Sequence, residues 1–389
     1  MTTLYAFIIL LGVLVTIHEL GHFIAARSVG IRVEKFSIGV PPRLFSLTSI
    51  DRGFLLNVFF FKIINGRLKW RPLISKAIYY SKRIGSNTEY VIALLPLGGY
   101  VKMAGMVDES MDSNIQYNDD EFMSKSLWEK VWVLSAGVLM NTFLAIIIFA
   151  MLGYFNGIPE RSNEPVVFEL QENMPAQNAG ILPGDRILQI GSEPIDSWDN
   201  LTKIIHSQPN TDLNFKIKRG SENLELVIKT AEYSRPSKNS IDTIGIIGIT
   251  NEVYFNDISV SESIFLGFER TISSFGLIIY SLRMLGSGEA SISDLGGPIM
   301  IAQLAGQTAE LGITPYLTFM ALLSVNLAFL NILPIPGLDG GHIFIHLIEG
   351  LIRRPLTIKT RITIQQIGMA LLFMLMVTVI LQDITRLFN

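Results

Sequence analysis

Four long apolar runs set the rhythm of this chain, at residues 4–29, 127–154, 316–334 and 362–381. Each approaches the ~20 residues that a helix needs to cross a hydrocarbon core of ~30 Å. A fifth segment, Ile264 to Leu285, has an uncharged centre of only twelve residues, Thr271 to Leu282, bracketed by Glu269, Arg270 and Arg283. That is too short to span, and it predicts an amphipathic helix lying at the interface. Between the second and third runs, from Pro165 to about Ile249, hydrophobicity alternates in short stretches separated by turn residues, the pattern of a small domain with strands. Glu89 to Gly105, EYVIALLPLGGYVKMAG, is apolar but broken by Pro96, Gly98 and Gly99. It predicts a β-hairpin, either dipping into the membrane with a free strand edge or packed on the membrane's cytoplasmic face.

The pattern predicts an α-helical polytopic membrane protein with four transmembrane helices, a membrane-dipping β-hairpin and an inserted α+β domain. Its expected divisions are a first span at 1–30, a cytoplasmic, membrane-associated β region at 31–126 and a second span at 127–156. An extracytoplasmic domain at 160–255, an amphipathic linker at 256–312 and the last two spans at 313–389 follow. An aromatic and basic insertion from Asp51 to Arg83 suggests only a membrane-surface or packing role. Asp108 to Glu121 reads as a solvated linker.

Composition sharpens this picture. Of 389 residues 49% are hydrophobic and only 17% charged, where a soluble domain carries about 25%. A net charge of −3 gives no reason to expect a nucleic-acid partner. Zero cysteines exclude disulfides, thiolate metal sites and a cysteine nucleophile, which leaves histidines and carboxylates as ligands. No basic residue precedes the first apolar run and no small-residue cleavage site follows it, so it is expected to be a retained span.

Chemistry enters inside the first span, as VTIHELGHFIAA from Val15 to Ala26. On a helix His18 and His22 share a face and can grip one metal ion, with Glu19 beside it as a base. His18 lies about 21 Å along the helix from Leu4, well inside the bilayer, where ionisable groups persist mainly if they face a polar cavity or coordinate something. In the third span Asn331 lies about 22 Å from Tyr316, so the two depths match. The sequence there runs on as NILPIPGLDGGH, in which Pro334 and Pro336 break the helix and Asp339 is the natural third ligand. An ion pair of Asp339 with Arg353 or Arg354 is the alternative, and His342 is a rival ligand. Asn141, in the second span, is expected to hydrogen-bond across helices or to serve substrate. His206 and His346 read as bland.

HELGH, LPLGGYV, the segment NMPAQNAGILPGDRILQIGSEPI with Gly180, Gly184 and Asp185 in a PDZ pattern, and NILPIPGLDGG occur in one order. Together they resemble the bacterial site-2 protease family, the regulated intramembrane zinc metalloproteases. The resemblance implies Zn2+ held by His18, His22 and Asp339, Glu19 as catalytic base and Asn331 as a polar aid to catalysis. It implies a substrate-clamping strand at Gly98, Gly99, Tyr100 and Val101. Its expected partners are transmembrane protein substrates, of anti-sigma-factor or remnant-signal-peptide type, peptide or substrate ectodomain at the PDZ domain, and membrane lipid. Basic residues at Arg27, Arg32 and Lys35, and at Arg353, Arg354, Lys359 and Arg361, place those loops inside. Both termini are then extracytoplasmic in a bacterial inner membrane, with the active site towards the cytoplasm. A PDZ-bearing membrane adaptor with a structural zinc is the non-proteolytic alternative.

Overall fold

The computed structural model describes residues 2–64, 67–79, 85–106, 115–236, 241–291 and 296–388. Residues 65–66 and 80–84 of the aromatic insertion, and 108–114 of the polar linker, lie outside the described residues. The chain forms two compact units, one of Met1–Gly153 with Val260–Asn389, the other of Tyr154–Ser259.

Along the chain come α1 (Thr2–Ser28), β1 (Val33–Ile50), β2 (Gly53–Ile64), β3 (Arg67–Tyr79), β4 (Glu89–Met103) and α2 (Leu127–Asn156). In the second unit lie the short α3 (Pro175–Asn178) and α4 (Trp198–His206). The chain returns through α5 (Val260–Ser287), α6 (Pro298–Leu311), α7 (Ile313–Ile332), α8 (Asp339–Ile352) and α9 (Ile358–Phe388). Among the described residues α1, α2, α7 and Ile358–Arg386 of α9 are long and apolar enough to cross a membrane. On α9 the apolar side chains of Leu371, Phe373, Met374 and Leu375 point outward, which water penalises and lipid does not. Leu10, Leu14, Ala145, Met320, Ala321 and Val325 form the core where α1, α2 and α7 meet, and the Tyr316 hydroxyl donates to the Ala6 carbonyl at 2.7 Å.

The helix expected from Ile264 to Leu285 lies within α5, 28 residues long, which is not among the helices long and apolar enough to cross a membrane. Its protein-facing stripe is Ser263, Gly267, Thr271 and Ser274, and its outward face carries Phe265, Phe268, Ile272 and Leu277. Small residues inward and apolar residues outward is how helices associate in lipid. The Thr271 and Ser274 hydroxyls donate to carbonyls four residues back in the same helix, so the buried stripe leaves them satisfied. The 256–312 region also contains α6, whose first N–H groups are capped by a buried carboxylate from α9. Asp383 accepts from Gly297, Ile299 and Met300 at 3.1, 3.0 and 3.2 Å.

The 89–105 segment is not a simple hairpin. Its two arms do not pair with one another in the register but flank the first half of β1, where Ser37 pairs with both Val91 and Tyr100. The second half of β1 then turns back beside the first arm, Ser46 against Val91, and β2 and β3 extend the sheet. The arm Gly99–Met103 is left at the outer edge, against α1.

In the second unit the strands Glu222–Lys229, Asp212–Arg219, Arg186–Ile190 and Glu193–Pro194 form one sheet in that order. Ile187, Leu201, Phe215, Ile217 and Ile228 are its core. Asp185 is 1% exposed yet charged, because Arg219 donates to its two oxygens at 2.8 and 2.7 Å and the Leu182 N–H donates at 2.9 Å.

Candidate metal centre

Two histidines one helical turn apart on α1 meet the first residue of α8. Proline at 334 and 336 ends α7, the chain crosses an irregular turn, and α8 restarts at Asp339. The His18 and His22 Nε2 atoms lie 3.2 Å apart, and the Asp339 Oδ2 lies 3.1 and 3.2 Å from them. A tetrahedral zinc with bonds of ~2.0–2.2 Å spaces its ligand atoms at roughly 3.3–3.6 Å, so this near-equilateral triangle fits one ion and leaves the fourth position open. The Asp339 Oδ2 is buried with no hydrogen-bond partner, as an atom meant for a cation should be. His342 faces the same cavity but is not in the ligand group, and Arg353 and Arg354 form no ion pair with Asp339.

The outer nitrogens of both imidazoles are engaged. His22 Nδ1 donates to the Val133 carbonyl of α2 at 2.8 Å, which leaves Nε2 free of its proton for a metal. His18 Nδ1 meets the Asn141 amide at 3.3 Å, while the Asn141 Oδ1 is buried and unpartnered. With Nε2 on a metal, His18 Nδ1 carries a proton and needs an acceptor, and the isosteric amide orientation that turns Oδ1 towards it satisfies both atoms. Asn141 is fully buried and does not line the cavity, so its assignment as a substrate contact is corrected to support of His18. Ser324 of α7 donates to the Asn141 carbonyl at 2.7 Å and fixes the residue from a third helix.

Two glycines allow the close approach. A Cβ on Gly137 of α2 would lie 2.5 Å from His18 Cε1 and 2.6 Å from His22 Nε2. One on Gly99 would lie 2.7 Å from the Ser37 carbonyl and touch Glu19 Cγ at 3.4 Å. Side chains there would push the sheet edge off α1 and fill the space of the imidazoles.

The cavity holds about 490 Å³, and Glu19, Gly99, Tyr100, Val101, Asn331 and Asp339 are among its lining. The Val101 N–H on the edge arm donates to the Glu19 carboxylate. Gly98, expected beside them, instead precedes the arm within β4, with φ 147° and nearest to Val40, and does not line the cavity. Asn331 has no hydrogen-bond partner among the described residues, nor has Gln365 of α9, which is 3% exposed and faces the same cavity. Gln365 escaped the sequence reading. Its signal is a QQ pair interrupting the first turns of an apolar span.

In the second unit a groove of about 750 Å³ runs between α4 and the strand around Ile249. Trp198, Thr202, Ile205 and His206 of α4 face it, at the spacing of one helix face, so His206 is a groove residue and not merely surface.

The description "Peptidase family M50" matches residues 6–66 and 73–375. The chain is 30% identical to "Zinc metalloprotease RasP" of Oceanobacillus iheyensis, over 100% of both chains. It is 29% identical to "Regulator of sigma-W protease RasP" of Bacillus subtilis, over 99% of each. A solved PDZ domain of an SdrC-like protein from Listeria innocua resembles 25% of this chain and 100% of its own, at 26% identity and a TM-score of 0.19.

Proposed function

The chain belongs to peptidase family M50 and is a zinc metalloendopeptidase of a bacterial membrane, and from that premise we propose that it cuts transmembrane segments of single-span proteins. The observation that carries this reading is the depth of the ligand triangle, its histidines ten and six residues before the end of the 27-residue α1 and set among apolar helices. His18, His22 and Asp339 hold the zinc and Glu19 is the base. When bound, zinc supplies a Lewis acid for the scissile carbonyl and lowers the pKa of a water to about 7.

The remaining work falls to the chain. A helical substrate hides its amides in its own hydrogen bonds, so it must unwind before attack. The edge arm Gly99–Val101 offers backbone groups for an extended segment to pair with. Glu19, released from the Val101 N–H as substrate docks, accepts the proton of the attacking water and returns it to the departing amine. The Asn331 amide, unpartnered beside the ligands, donates to the oxygen on which charge develops.

Positive residues at Arg27, Arg32, Lys35, Arg353, Arg354, Lys359 and Arg361 support an inner-membrane topology with both termini extracytoplasmic and the metal towards the cytoplasm. The inserted unit, a PDZ-type domain between α2 and α5, takes peptide or substrate ectodomain in its groove and admits substrates already shortened outside, of anti-sigma-factor or remnant-signal-peptide type. The adaptor alternative is set aside, because the chain is an enzyme by family.

The test reconstitutes the full chain in lipid vesicles with a single-span reporter, its outer domain either intact or truncated. The expected result is cleavage of the truncated reporter inside its apolar segment, mapped by mass spectrometry, and much slower cleavage of the intact one. Cuts confined to residues outside the apolar segment would contradict the proposal. Equal rates on both reporters would remove the filter.

A further inference from the structure

Below the metal centre, where α8 ends and α9 begins, the membrane unit carries a second polar cavity that proteolysis does not use. It holds about 230 Å³ and lies among the first turns of α2 and α9 and the last turn of α8. Lys130, Arg353, Arg354 and Arg361 line it, with Glu349 as the acidic residue among them. That carboxylate is already engaged: Arg361 binds both of its oxygens at 2.5 Å, and the Leu356 N–H donates to one at 2.6 Å. Lys130, held in place by donating to the Met123 carbonyl at 2.8 Å, forms no ion pair among the described residues, and neither does Arg353 or Arg354. Among the described residues the cavity therefore presents three cations outside any close ion pair.

Two further observations agree with a site built for an anion. Arg353 sits at φ 55° as the residue closing α8, a left-handed position that glycine occupies at lower cost, yet the chain places an arginine there. Burial above all, and then the positive charges of Arg361, Lys130 and His342, push the neighbouring His346 imidazole down to about 3, even with the Glu349 carboxylate 3.1 Å from its Nδ1. The first turns of α2 and α9 line the cavity and direct the positive ends of their dipoles towards it, while the last turn of α8 directs a negative end there.

We propose that this cavity binds the phosphate of an anionic phospholipid head group. The cavity lies at the ends of the spans in α2 and α9, so a lipid held by its phosphate can lay its acyl chains along their apolar faces. Basic pockets between membrane helices recognise anionic head groups in this way. Leu127, in contact range of the bare face of Gly350, gives the cavity an apolar wall beside its cations.

The test uses the full chain in nanodiscs of equal parts phosphatidylglycerol and phosphatidylcholine, with the retained lipid counted by native mass spectrometry. The wild type is expected to retain phosphatidylglycerol preferentially, and Arg353→Gln with Arg354→Gln to reduce that preference on the order of tenfold. Arg354→Glu, a single exposed change, serves as a second variant, and both should keep the thermal stability and zinc content of the wild type. Equal retention of the two lipids by the wild type, or a preference untouched in both variants, overturns the site. A parallel titration of inorganic phosphate into the protein in neutral detergent separates the sources. Phosphate binding that Arg353→Gln with Arg354→Gln abolishes, without lipid enrichment in nanodiscs, overturns the lipid assignment in favour of a soluble anion.

Discussion

Replacing Glu19 by Gln removes a base without removing a ligand. Purified Glu19→Gln protein is expected to hold one zinc per chain, as measured by plasma mass spectrometry, while turnover falls by roughly 10²–10⁴-fold. Loss of zinc together with activity would make Glu19 a structural residue instead. Asn141 makes the complementary case, since it touches an imidazole and not the cavity. Asn141→Leu should weaken zinc affinity by about 10–100-fold in a chelator competition, and Asn141→Asp, which keeps an acceptor, should restore most of it. HExxH and LDGG were legible residue by residue because ligand chemistry admits few residue types at fixed spacing. Asn141 was visible only as a lone amide in lipid, for its partner lies on another helix and no local pattern names it. Gln365→Leu, which empties one unpartnered amide from the cavity, should raise KM for the transmembrane reporter more than it lowers kcat.

At the scale of elements, the four spans and the helix at α5 were readable from length and apolar content, whereas the course of β4 was not. A strand that flanks its neighbour on both sides has the same alternation as a hairpin, so only the register distinguishes Ser37 between Val91 and Tyr100 from two paired arms. In α5, the charges at Glu269 and Arg270 interrupt the apolar run but not the helix, because helix formation depends on packing of the Gly267–Thr271 stripe more than on hydropathy. The crossing of α1 and α2 gives the sharper test. In an ordinary helix interior Gly→Ala gains about 1 kcal/mol. Gly137→Ala should do the opposite, lowering thermal stability of the zinc form and zinc content together, since the new methyl group takes the place of the imidazole edges. Higher stability with full zinc would show that α1 and α2 can separate at no cost.

The molecule as a whole joins a lipid-solvated unit to a water-solvated one, and its two parts should respond differently to acid. Burial works to raise the Asp185 carboxyl, but the hydrogen bonds and charge of Arg219 and the Leu182 N–H hold it below its ordinary value of 3.8. A carboxyl lowered on folding adds stability that is fully present above that ordinary value and is lost as pH falls through the lower, folded one. Hydrogen exchange on the full chain should therefore show residues 154–259 opening as pH drops below about 4, and Asp185→Asn should be less stable at neutral pH with a flatter acid limb. An identical acid limb in that variant would assign the transition to other carboxylates. The split into two units follows the pattern of apolar runs and alternating stretches along the sequence, but the meeting of α1 with α8 was inferred from matched depths in two spans and from the family resemblance, and the measurement that bears on it most directly is zinc-edge X-ray absorption of the purified full chain. Two imidazole nitrogens and one carboxylate oxygen at roughly 2.0–2.2 Å, with the carboxylate lost in Asp339→Ala, are the expected result. A spectrum unchanged by Asp339→Ala would contradict the assembly of one metal centre from the two ends of the chain.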